Sequence, residues 1–202
     1  MAEKAGLIFY LQPIGRIDEK ILRLTSQILA GAFGAETRVL PSVKIKKDFP
    51  ETGSYDAYGL AQAVHGQLRP DSDGIVRGII LGITASGRFY SFDPKTGRYD
   101  GPLDGYAAIN GAVAIITLAT YYDYRDEAET KDLAESELGN LILHETGHIF
   151  GATHCGEYCL MRSNGSPLTR FILPKNRPRE YCQSCAEKIQ RNLQERTRYA
   201  AK

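Results

Sequence analysis

Residues 144–154 read HETGHIFGATH, and the spacing within this stretch dictates how the chain must fold around it. On an α-helix, positions four apart lie about 40° from each other around the axis and about 6 Å apart along it, so His144 and His148 present their imidazoles to one point. Continued helix would carry His154 roughly 9 Å beyond His148 at about 1.5 Å per residue, far outside metal–nitrogen bonds of about 2.0–2.1 Å. The chain therefore has to turn back, and Gly151 is where it can, because glycine accepts the left-handed conformation that ends a helix. The expected local structure is helix, glycine turn, third histidine.

This donor set points to zinc. Three protein ligands leave a fourth position for water, whose pKa the metal lowers to about 7, and Glu145 is placed to take a proton from that water as general base and return it to a leaving amine. A chance match at all five defining positions is on the order of one in 100,000 chains of this length. Three of the four histidines in the chain fall inside the motif. The fourth, His65, stands alone in a helical stretch and reads as structural or solvated.

Just past the motif the cysteines begin. Cys155, Cys159, Cys182 and Cys185 form two close pairs in the last quarter of the chain, at spacings that suit a structural zinc knuckle. Four thiolates on one tetrahedral ion would tether the segment after the catalytic helix to the start of the last helix, with no open position for chemistry. Disulfides or free buried thiols are the alternative reading. Clustering of this kind fits a reducing compartment, and the localisation expected is cytoplasmic.

Upstream, short apolar runs at 6–11, 38–40, 75–84 and 112–118 are rich in Ile and Val and bounded by Gly, Pro or Asp, as buried strands are. Helical spacing separates them at 19–32 and 56–68. Strand and helix alternate, which predicts an α/β layer with mostly parallel strands. Residues 88–111 contain DPKTG, DGPLDG and Asn110-Gly111, which are turn chemistry; within them, Ala107–Asn110 is expected as an edge strand. A long helix should start near Thr130 or Asp132 and run into the motif, and 181–199 should form a polar terminal helix.

Together, HExxHxxGxxH, the adjacent Cys155, the Cys159-Leu160-Met161 triplet and the Cys182–Cys185 pair resemble the archaemetzincins, a branch of the metzincin zinc peptidases. The first cysteine spacing is slightly tighter here than in that family and the stretch from Met161 to the CxxC pair somewhat longer, with ligand order unchanged. The resemblance implies an α/β, metzincin-like mixed twisted sheet, mostly parallel with an antiparallel edge strand, an active-site helix and a small zinc-stabilised C-terminal subdomain. It also implies a catalytic zinc on His144, His148 and His154, a structural zinc on the four cysteines, and Met161 in the turn beneath the catalytic metal. The division expected is 1–151 for the α/β part with the active-site helix and 152–202 for the part with Met161 and the cysteines.

The expected activity is zinc-dependent peptide hydrolysis on a peptide or protein substrate. The rival is a two-zinc binding or scaffold protein of the same shape with little or no turnover, a role for which Glu145 would be superfluous. With 25 Lys and Arg against 24 Asp and Glu in 202 residues, the net charge of +1 gives no footprint for nucleic acid. No run approaches the roughly 18 apolar residues of a membrane span, and the apolar stretch at 5–11 is too short for a secretory core followed by a cleavage site. Lys44, Lys46 and Lys47 and the acidic run at 126–129 read as solvated faces.

Overall fold

The computed structural model describes residues 7–68, 78–124, 131–162 and 180–200. A five-stranded sheet forms its centre, built from β1 (Ile8–Ile14), β2 (Glu36–Val39), β4 (Ile79–Thr84), β7 (Gly105–Ala107) and β8 (Val113–Thr117) in the order β2-β1-β4-β8-β7. The first four in that order run parallel; β7 pairs antiparallel with β8 and forms one edge. Every residue of β4 and β8 is buried, the burial expected of central strands covered on both faces.

Each face has its own cover. On one lie α1 (Glu19–Phe33) and α4 (Lys131–Ile149), whose apolar residues join those of β1, β4 and β8 in one core cluster. Asp18 caps α1 by accepting the Lys20 amide at 2.9 Å, and Gly34 ends it at φ +62°, so both ends are satisfied locally. Its most buried stripe is Ile21, Thr25, Leu29 and Phe33. Thr25 is tolerated there because its hydroxyl donates to the Ile21 carbonyl at 2.8 Å. Phe9, Phe33 and Phe150 meet with centroids 5.0–6.4 Å apart and fix the end of α4 against the sheet.

The opposite face carries α2 (Ala57–His65), capped by the Asp56 carboxylate on the Gly59 amide, together with a second, three-stranded sheet. That sheet, β3 (Tyr55–Asp56), β5 (Phe89–Asp93) and β6 (Arg98–Leu103), has the order β3-β5-β6. It was not foreseen. The turn at 93–97 was legible, since Asp93 accepts the Lys95 amide and the Thr96 hydroxyl at 2.9 Å each. Its flanking strands were not, because β6 is exposed at its first four positions and lacks apolar alternation.

The antiparallel edge strand exists, at Gly105–Ala107 instead of Ala107–Asn110. Asn110 takes φ +56° and its amide donates to the His148 carbonyl at 3.0 Å, so it belongs to a turn that touches α4. A short helix, α3 (Ala119–Tyr124), follows β8, and the terminal helix α5 spans Gln183–Ala200. Expectations for 75–77, Thr130 and the acidic run at 126–129 fall outside the described residues. Among the described residues no helix is long and apolar enough to cross a membrane.

Candidate metal centre

The last two turns of α4 carry His144 and His148, both buried, and Gly151 breaks the helix at φ +82°. The Gly151 amide returns to the His148 carbonyl at 2.9 Å and the Ala152 amide to the Gly147 carbonyl at 3.0 Å, closing the turn that brings His154 back. The imidazole centroids then lie 4.8, 4.9 and 5.4 Å apart. One ring nitrogen from each of the three side chains falls within 4.8 Å of the others, a grouping that could hold a metal ion.

The hydrogen bonds around the rings test that fit. His144 Nδ1 lies 2.9 Å from the Leu160 carbonyl and His148 Nδ1 lies 2.7 Å from the Ala152 carbonyl. A carbonyl only accepts, so both Nδ1 atoms carry the proton and both Nε2 atoms present lone pairs. These two Nε2 atoms face each other at 3.2 Å. Two acceptors gain nothing from each other at that distance, whereas a tetrahedral zinc with bonds of about 2.0–2.1 Å places its nitrogens about 3.3 Å apart. Backbone carbonyls behind both rings are the outer partners that histidine ligands ordinarily have. Burial also holds the His148 pKa below its ordinary value, which keeps the ring neutral.

Glu145 is buried beside them, and its side chain lies directly over Gly105 in β7. A Cβ placed on Gly105 would stand 2.6 Å from Glu145 Cγ and Cδ. Met161 is fully buried, and its thioether rests against Gly147, between the two helical histidines.

The four cysteine sulfurs form a second group within 4.8 Å of one another. Cys155 Sγ and Cys182 Sγ are 3.7 Å apart. That is far beyond a disulfide bond of about 2.03–2.05 Å and close to the roughly 3.8 Å expected between sulfurs sharing a tetrahedral zinc at about 2.3 Å. All four are free cysteines. Backbone amides of Met161 and Cys182 donate to Cys159 Sγ at 3.4 and 3.2 Å, and that of Glu157 to Cys155 Sγ at 3.4 Å. The Ser184 hydroxyl and the Cys185 amide draw the Cys182 pKa down to about 6, while burial pushes Cys185 up.

Several contributors left no mark in the sequence motifs. Tyr181 donates its hydroxyl to the Leu143 carbonyl at 2.6 Å, and burial raises its pKa. From α5, Asn192 donates to the Phe150 carbonyl at 2.7 Å, and Arg196 to the carbonyls of Ile149, Asn110 and Gly111 at 3.2, 3.1 and 2.6 Å. A cation thus sits on the carbonyl end of α4, where the helix dipole favours it. Elsewhere on α5, Glu187 accepts from Gln183 at 2.9 Å. Lys44 and Lys46 are exposed as expected, while Lys47 approaches Ser86 Oγ at 3.4 Å.

Family and fold follow from the resemblance to known proteins. Residues 39–191, well over half the chain, match the model of Peptidase family M54. An archaemetzincin of Archaeoglobus fulgidus is 24% identical over 187 residues, covering 89% of this chain and 97% of that protein. An archaemetzincin of Nanoarchaeum equitans is 39% identical over 51 residues, which span only 25% of this chain and 28% of that protein. The crystal structure of an archaemetzincin from Methanopyrus kandleri superposes with a TM-score of 0.69 at 22% identity, covering 94% of this chain and 97% of that one. The mostly parallel sheet with its antiparallel edge strand is therefore that of a known fold, and the chain belongs to peptidase family M54, the archaemetzincin family of zinc metallopeptidases.

Proposed function

We propose that the chain hydrolyses peptide bonds, with one zinc ion on His144, His148 and His154 and a second on Cys155, Cys159, Cys182 and Cys185. The observation that carries the reading is the pair of facing Nε2 lone pairs at 3.2 Å, with Glu145 buried beside them. When bound, zinc supplies Lewis acidity toward the substrate carbonyl and makes water acidic enough to attack near neutral pH. Glu145 accepts the proton of the attacking water and returns it to the leaving nitrogen. Its seat on Gly105 puts that carboxylate at the junction of the active-site helix and the edge strand.

The edge strand supplies the substrate's hydrogen bonds. Asp104 O and Ala108 N face inward, bonded to Thr117 N at 2.8 Å and Val113 O at 3.3 Å. By alternation, Gly105 and Ala107 turn their backbone groups to the open edge. An extended peptide adds there as a further strand. The four-cysteine ion is structural, holding the segment around Leu160 and Met161 against α4. Division into 1–151 and 152–202, with the third histidine and the cysteines in the second part, belongs to the same proposal, as does a cytoplasmic setting that keeps the thiols reduced.

A mixed peptide library tests it, incubated with the zinc-loaded protein and with Glu145→Ala. Cleavage by the wild type that falls by about 10²–10⁴-fold in the variant, at equal zinc content, is the expected result. Two zinc ions per chain with no cleavage in either protein would favour a metal-bearing binding protein.

A further inference from the structure

The corner between β6 and β7 holds three polar side chains from three separate segments. Asp104, 5% exposed, accepts the Thr120 hydroxyl at 2.9 Å; Arg88 donates to that same hydroxyl at 3.5 Å and brings its Nε to 3.9 Å from the Asp104 carboxylate. Thr120 belongs to α3, Arg88 precedes β5, and Asp104 immediately precedes Gly105. The Asp104 carbonyl is itself bonded to the Thr117 amide at the end of β8. A buried carboxylate with a hydroxyl and a guanidinium in series is expensive to build unless its geometry is used. Its nearest structural consequence is the placement of the next residue, Gly105, on which the Glu145 side chain rests.

We infer that Asp104, Thr120 and Arg88 form a latch that sets the position of Gly105, and that Gly105 is the positioning residue for the Glu145 carboxylate. The inference rests on the hydrolytic role of Glu145 proposed above. The latch fixes one end of β7, so the open backbone groups of Gly105 and the overlying carboxylate keep a fixed separation. Only glycine allows this, because any Cβ at position 105 overlaps Glu145. A bound peptide hydrogen-bonded to the edge strand is thereby held in register with the group that moves its proton.

The test uses the full zinc-loaded chain carrying Gly105→Ala, Thr120→Val or Thr120→Ser. Gly105→Ala should retain its zinc and lower kcat about 100-fold with KM within about threefold, the signature of a displaced catalytic group and not of lost binding. Thr120→Val should lower kcat about 10-fold and Thr120→Ser restore it to within about threefold. Two readouts are independent of turnover. Hydrogen exchange at the Thr117 amide should quicken by about 10-fold in Thr120→Val and not in Thr120→Ser. A crystal structure of Gly105→Ala should show the Glu145 carboxylate moved by about 1 Å or more. Wild-type kcat in Gly105→Ala, an unmoved Glu145, or equal effects of Val and Ser at position 120 would each overturn the inference. Should the wild type cleave nothing, the hydrolytic reading falls while exchange and crystallography still decide the latch.

Discussion

The histidine and cysteine clusters sit on either side of Leu160 and Met161, and they are built by opposite means. The first draws two of its three donors from one regular helix, holds the rings by carbonyls behind them, and leaves its third histidine exposed. The second draws its donors from loops and a helix start, buries Cys159 and Cys185, and surrounds the sulfurs with backbone amides. A set of three donors would leave a metal one position open for exchange and catalysis, whereas a set of four would close it. The two are also unequal partners, because the carbonyl that fixes His144 belongs to Leu160, between Cys159 and Met161. The segment that carries Cys159 thus holds one ring of the histidine cluster.

The largest effect should come from removing the metals in sequence. A mild chelator is expected to take one zinc first and abolish at least about 10³-fold of the hydrolysis, with circular dichroism unchanged. The second should leave only under conditions that also unfold the C-terminal segment. Zinc analysis run beside activity and dichroism checks this. Simultaneous loss of both ions would erase the contrast between an open and a closed site.

Cys185→Ser should act next most strongly and in the other currency, stability. Structural thiolate sites contribute about 10–16 kcal/mol of apparent binding energy. Even partial loss, at about 2–4 °C per kcal/mol for a chain of this size, should lower Tm by at least about 10 °C. Calorimetry with zinc analysis should find one ion fewer. An unchanged Tm would mean the cysteine cluster is no strut.

The same contrast explains what was legible in the sequence. Clustering of donor side chains follows from residue type and spacing, so the grouping of His144, His148 and His154 and of both cysteine pairs could be read from the chain alone, as could β1, β4 and β8 with their apolar runs. Gly105 could not, because its role depends on Glu145 arriving from 40 residues away, and within DGPLDG a glycine reads as a turn. The strands on either side of DPKTG escaped for a related reason: an exposed strand such as β6 has no buried face to impose alternation. Arg196 and Asn192 read as solvent-facing residues of a polar helix, and only the tertiary fold brings them to the carbonyl end of α4.

A smaller effect probes how the two clusters communicate. Tyr181, adjacent to Cys182, hydrogen-bonds the Leu143 carbonyl one residue before His144. Tyr181→Phe keeps the ring and removes that bond, at a cost of about 1 kcal/mol and hence about 2–4 °C in Tm. Zinc should remain at both sites, since no ligand changes. Loss of the histidine-site zinc in this variant would make Tyr181 part of the outer shell of that site, so the result separates a stability clamp from a metal-tuning contact.

The smallest effect is electrostatic and belongs to the histidine cluster alone. Burial holds the His148 pKa below its ordinary value in the folded chain, whereas the unfolded chain titrates near about 6.5. Below that point the unfolded state binds a proton that the folded state resists, so this contribution to stability is present above about pH 6.5 and is lost as pH falls through the folded value. Metal-free protein should accordingly lose stability on acidification in that window, and His148→Gln should flatten the slope. Denaturant titrations at a series of pH values measure it directly. An equal slope in both proteins would assign the acid sensitivity to other groups and leave the cost of burying His148 offset by its hydrogen bond to Ala152.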